Sequence, residues 1–136
     1  MCIFCKIVAG EATGFKIYEN AETLAILDIS NDFKGHTLVM PKKHYVNVLD
    51  CAEDVLASVM RTVKKVSKHY VDNCGYDGVN IFVNNGESAG QTVMHLHVHI
   101  VPQKNGKPQH LFIKPDEVSR DLKTELLHFQ LSEKTK

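Results

Sequence analysis

The 136-residue sequence has no tryptophan, four prolines and no surplus of either charge: 16 Lys and Arg stand against 16 Asp and Glu. A nucleic-acid-binding surface usually shows as a basic surplus, so the balance speaks against one. No apolar stretch comes near the roughly 20 residues of a membrane-spanning helix. The start, Met-Cys-Ile-Phe-Cys-Lys, lacks the basic-then-apolar order of a secretory signal. The expectation is a cytoplasmic protein with neither membrane nor nucleic-acid partner. There the four cysteines, at positions 2, 5, 51 and 74, are expected as thiols or metal ligands rather than disulfides. With 43% hydrophobic and 24% charged residues, extended disorder is excluded, and the length predicts one domain over 1–136.

What the chain does have is a helix-like start, with Ile3, Phe4, Ile7 and Val8 at spacings of three and four and Gly10 ending it. Lys16–Glu19 and Thr23–Asp28 read as a hairpin, and His36–Met40 as a strand stopped by Pro41. Asp50–Asp72 is the clearest helix. Val55, Leu56, Val59, Met60, Val63, Val66 and Tyr70 share one face, and Asp50 with Glu53 resembles a capping box. Val79–Val83 and Met94–Val101 read as strands. Asn84–Gly90 is a polar loop, and Asp116–Leu131 a final helix. Strands on both sides of one long helix predict an α+β fold with a mostly antiparallel sheet.

The eight histidines are the compositional anomaly, and three of them alternate in His95-Leu96-His97-Val98-His99-Ile100-Val101. On a strand this alternation puts three imidazoles on one face and an apolar set on the other. Chance placement on an edge strand, a zinc site and phosphorus chemistry all use such a row. A neutral imidazole is a competent nucleophile near pH 7, and an imidazolium offsets phosphate charge. The preceding loop, Asn84 to Thr92, supplies glycines, amides and a hydroxyl that could donate to phosphate oxygens.

On these residues the sequence resembles the histidine triad (HIT) family of nucleotide hydrolases and transferases. Residues 95–101 match its His-apolar-His-apolar-His-apolar-apolar pattern at every position. Asp28-Ile29-Ser30, Gly35 to Lys42 and Asn84 to Thr92 sit where the family has its nucleotide-binding segments. The resemblance covers about residues 2–102, and 103–136 form a variable tail. It implies a sheet of about five antiparallel strands with one long helix and a C-terminal helix. It also implies a homodimer through the long helix and one sheet edge.

For catalysis the resemblance implies His97 as nucleophile on the α-phosphorus of a purine nucleotide. His99 would contact the phosphate and leaving group, His36 would support the nucleophile's orientation, and His95 completes the triad. Asp28 would hold ribose hydroxyls. Asn84, Gln91 and Thr92 would hold phosphate oxygens or the leaving group. Ile3, Phe4, Ile7, Ile26 and Ile29 would line the base pocket. The start of the chain resembles the Hint-like branch, which implies hydrolysis of purine nucleoside phosphoramidates without a cofactor for the chemistry. Dinucleoside polyphosphate hydrolysis, or nucleotide binding with incidental turnover, are the alternatives. Cys2-x-x-Cys5 alone reads as a redox pair, a metal half-site or nothing. The resemblance implies structural zinc on Cys2, Cys5, His44 and His95.

Overall fold

The computed structural model describes residues 2–30, 32–111 and 120–130. Five strands form one antiparallel sheet: β1 (Lys16–Glu19), β2 (Thr23–Leu27), β3 (Thr37–Pro41), β4 (Gly78–Phe82) and β5 (Val98–Gln103), in the order β1-β2-β3-β5-β4. Among the described residues the α-helices are α1 (Ile3–Val8), α2 (Glu53–Asn73) and α3 (Leu122–Phe129). The expected C-terminal helix is thus present over Leu122–Phe129, while positions 116–119 and 131 lie outside the described residues.

The two faces of the sheet bury different partners. Ala25, Val39, Val98 and Ile100 pack against Val59, Val63, Val66 and Tyr70 of α2. Leu24, Ile26, Leu38 and Met40 point the other way and cover Phe4 and Ile7 of α1. Being covered on both sides is why β2 and β3 read as unbroken apolar runs, Leu-Ala-Ile-Leu and Leu-Val-Met, with no alternation. Beside β4, an edge strand, lies a 440 Å³ groove lined by Met60, Val63 and Val71 of α2 and by Val79 and Ile81.

Three boundaries near the site differ from the sequence reading. Strand β3 starts at Thr37 and includes Pro41, which pairs with Thr23 of β2 rather than stopping the strand. Asp50 does not cap α2. Its carboxylate accepts from the amides of Val46 and Asn47, at 3.1 and 2.9 Å, and so ties the preceding turn. The helix begins three residues later, after Ala52, with Glu53 and Asp54 set against its positive end. The histidine strand begins at Val98, not Met94, and runs through Pro102 to Gln103. The ladder to β3 spans only Val39↔Val98 to Thr37↔Ile100. Upstream of it, the His95 ring Nε2–H donates to the Pro41 carbonyl at 2.8 Å, and the Leu96 amide donates to the Tyr45 carbonyl at 2.7 Å. Those bonds draw residues 95–97 off the ladder. Pro102 is accommodated because β3 has ended by that point, so its missing N–H removes no bond to that strand.

Candidate functional site

Between α1 and the sheet lies a 390 Å³ cavity. Ile3, Phe4 and Ile7 of α1, Ile26 of β2 and the exposed Ile29 give it an apolar wall, and Asp28, Thr92, His97 and His99 stand at its polar end. Leu38 of the Gly35–Lys42 segment also lines it, as do Phe15 and Val93, for which the sequence carries no signal. The local backbone explains the polar end. Asp28 follows the last residue of β2, where its amide still bonds the His36 carbonyl and its carboxylate turns back to accept from the Ser30 amide at 2.8 Å. Burial pushes the Asp28 carboxyl up, but the Ser30 bonds, with His36 and His99 nearby, outweigh it and hold the group below its ordinary range.

The imidazoles are oriented by different devices. The His97 Nδ1–H donates to the carbonyl of His95 at 2.7 Å. That leaves Nε2 with its lone pair on a ring that is buried at the cavity and braced edge-on by Phe4, 5.0 Å between centroids. Burial pushes His97 below the usual histidine range, which keeps it neutral and nucleophilic at pH 7. His99 lies flat on Phe82, its cross-strand neighbour, with centroids 4.4 Å apart and planes within 7°. His36 Nε2 meets His99 Nδ1 at 2.9 Å, and His36 Nδ1 faces the carboxylate of Asp32. The resemblance implies that His36 supports the nucleophile's orientation. The structure instead joins it to His99, and the backbone of the triad itself orients His97.

Burial, with His97 and His36 nearby, pushes His99 down to about 4. Its Nε2 is buried and has no hydrogen-bond partner among the described residues. Between the ordinary histidine range and pH 4 the unfolded chain therefore binds a proton that the folded chain refuses. Stability falls as pH is lowered through that window. Thermal melts at pH 7 and pH 5 are expected to converge in His99→Gln relative to the wild type. An unchanged pH dependence would contradict the assignment.

The loop before the triad divides its residues between bracing and lining. Gly86 and Gly90 adopt φ of 93° and 91°, a backbone other residues avoid, on either side of a short 3-10 turn. Gln91, expected to hold phosphate oxygens, is buried with its carboxamide occupied. It accepts from Gly86 N and Asn47 Nδ2 and donates to the carbonyls of Val46 and Val93. Asn84 sits beside Gly90, 3.7 Å from where a β-carbon would stand there, and is not among the residues lining the cavity.

Cys2, Cys5, His44 and His95 form a separate cluster at the start of α1. Cys2 Sγ accepts from the Cys5 amide as the cap of α1, and the one-turn spacing brings both thiols to the same side. His95 Nδ1 is 3.4 Å from Cys2 Sγ, 3.5 Å from Cys5 Sγ and 3.2 Å from His44 Nδ1, and His44 Nδ1 is 3.3 Å from Cys5 Sγ. Zinc bonds of about 2.0–2.3 Å would give tetrahedral ligand–ligand edges of roughly 3.3–3.8 Å, so this donor set fits such an ion. Because His95 Nε2–H is spent on Pro41, Nδ1 is the nitrogen free to ligate. Phe82 and Asp32 were missed from sequence. Phe82 needs the strand register to be found, and Asp32 is a lone acid in a polar turn.

A family model described as the HIT domain matches residues 9–106. An uncharacterised HIT-like protein of Methanocaldococcus jannaschii is 47% identical over 106 residues, 78% of this chain and 81% of that one. The adenosine 5′-monophosphoramidase of Schizosaccharomyces pombe is 42% identical over 104 residues, 76% and 75% of the two chains. A zinc-bound histidine triad family protein from Mycobacterium smegmatis superposes with a TM-score of 0.77 at 39% identity, covering 85% of this chain and 84% of that one.

Proposed function

The chain belongs to the HIT family, and from that premise we propose that it hydrolyses purine nucleoside phosphoramidates or related nucleotides at the α-phosphorus through a covalent His97 intermediate. The observation that carries this reading is the His97 ring, with Nδ1–H fixed on the His95 carbonyl and Nε2 left bare at a nucleotide-sized cavity. The likeness to the S. pombe phosphoramidase supports the leaving-group class.

The base lies in the apolar slot of Ile3, Phe4, Ile7, Ile26 and Ile29, and the ribose hydroxyls donate to Asp28. His97 Nε2 attacks phosphorus, forming the P–N bond as the P–N bond to the leaving amine breaks. The leaving nitrogen takes a proton from solvent and departs as the free amine, and water then displaces the nucleotide from His97. Splitting one displacement into two easier ones is the gain of covalent catalysis. Thr92 at the cavity has a hydroxyl that can donate to the charge that develops on the phosphate oxygens. Asn84 belongs beside them only after a shift of its side chain toward the cavity. Gln91 acts by holding the loop.

Zinc on Cys2, Cys5, His44 and His95 supplies a structural cross-link and no chemistry to the reaction. A homodimer forms through β4 and α2, where Ile81, Met60 and Val71 are exposed on an edge strand and its neighbouring helix. Light scattering at micromolar concentration is expected to give twice the chain mass. A monomer there removes the dimer. No helix among the described residues is long and apolar enough to cross a membrane.

The test is intact mass after acid quench within one turnover of mixing with an adenosine phosphoramidate. Wild type is expected to gain one adenylyl group, and His97→Ala none. Absence of both adduct and released AMP in the wild type overturns the reading. An equally fast adduct from a diadenosine polyphosphate would move the leaving group from amine to nucleotide.

A further inference from the structure

Asp32, His36 and His99 form one hydrogen-bonded line that ends at the catalytic cavity. Both carboxylate oxygens of Asp32 are 3.0 Å from His36 Nδ1, and His36 Nε2 is 2.9 Å from His99 Nδ1. The far end is His99 Nε2, buried and without a hydrogen-bond partner among the described residues. Asp32 does not line the cavity, and its carboxylate is tied down by the Phe33 amide at 2.6 Å. Asp28 is a poorer partner for His36, at 3.5 Å, and is held by Ser30.

The chemistry of the groups fixes the direction of the line. An ionised carboxylate only accepts, so His36 carries its proton on Nδ1 and presents a lone pair at Nε2. His99 must then donate from Nδ1, and its own lone pair is left at Nε2, buried on a ring that lines the cavity. With Asp32 in place His99 is prepared as a base, not as an acid.

We propose that Asp32 is a positioning residue for the second, hydrolytic half of the reaction, an inference that rests on the His97 intermediate proposed above. Water attacks the phosphorus of nucleotidyl-His97. The new P–O bond forms, the P–N bond breaks, and its electron pair returns to His97 Nε2. The proton leaving the water goes to His99 Nε2, while the His99 Nδ1 proton passes to His36 Nε2. The positive charge so created comes to rest on His36, between the carboxylates of Asp32 and Asp28, until the proton is returned to solvent. An isolated His99 would have to keep that charge inside a buried ring stacked on Phe82. The line moves it one residue outward, to where two anions stand.

An asparagine at position 32 can donate through its amide and so reverse every bond in the line. His36 would then carry Nε2–H and His99 would present Nε2–H to the cavity. General-base assistance is worth about 10²–10⁴-fold. Rapid-quench measurement of the adduct is therefore expected to show wild-type formation in Asp32→Asn within about threefold, with hydrolysis slowed about 10²-fold, so that adenylyl-protein accumulates. Asp32→Glu is expected to restore most of the hydrolysis rate. Long-range ¹H–¹⁵N spectra should place the His36 proton on Nδ1 in wild type and on Nε2 in Asp32→Asn. Equal adduct lifetimes in wild type and Asp32→Asn, or a wild-type His36 protonated on Nε2 alone, overturn the proposal. So does equal damage by Asn and Glu with a matching loss of thermal stability. Absence of adduct in the wild type itself is a different result: it overturns the His97 reading, and the role of Asp32 falls with it.

Discussion

Replacing His97 with alanine is expected to lower kcat for an adenosine phosphoramidate by on the order of 10⁴-fold or more. The variant keeps the fold, because His97 contributes one side-chain bond, to the carbonyl of His95, and ring contacts with Phe4 and His99. What it loses is the covalent route. Without it a water must displace the amine directly, with a less reactive nucleophile and with donors aimed at a different in-line geometry. Ligand affinity should fall far less, since the base slot and Asp28 are untouched. Activity within tenfold of wild type would mean that the proposed covalent route is not how the protein works.

The second large effect concerns the thiols. Cys2→Ser with Cys5→Ser is expected to remove bound zinc and to lower Tm by about 10 °C, the equivalent of a few kcal/mol in a chain of this size. The argument rests on four donor atoms already spaced as tetrahedral edges, two from α1 and two from segments distant in sequence. Chelation of the wild type should give the same shift, and zinc readdition should reverse it in the wild type only. Elemental analysis of protein never exposed to chelator comes first. Less than one zinc per chain, with no change in Tm on chelation, removes the site.

The elements that could be read from sequence are those whose signal is local. Periodicity marks α1 and α2, turn chemistry marks the β1–β2 hairpin, and β-branched runs mark β3 and β4. The family pattern was carried by seven consecutive residues. What could not be read depends on which partner captures a polar group. Asp50 looks like a cap, yet the amides of Val46 and Asn47 claim its carboxylate first. His95, His97 and His99 alternate as if on one strand. The bond from the His95 ring to Pro41 removes the first two from the ladder and gives the three imidazoles separate tasks. Gln91 looks like a phosphate donor and is spent bracing the loop. Asp32 carries no pattern at all, and its place beside His36 follows from the turn that brings residue 32 back over β3.

Helix α1 has six residues, far below the length at which a helix holds itself together in water. Its order is borrowed from the two things it touches, the thiol–imidazole cluster at one end and the sheet beneath Phe4 and Ile7. The same helix forms the apolar wall of the base slot. Two ligands that draw on one marginal element are thermodynamically linked, and the linkage is reciprocal. A nucleotide in the slot should tighten metal binding at the cluster by the factor by which metal tightens the nucleotide, although the two never meet.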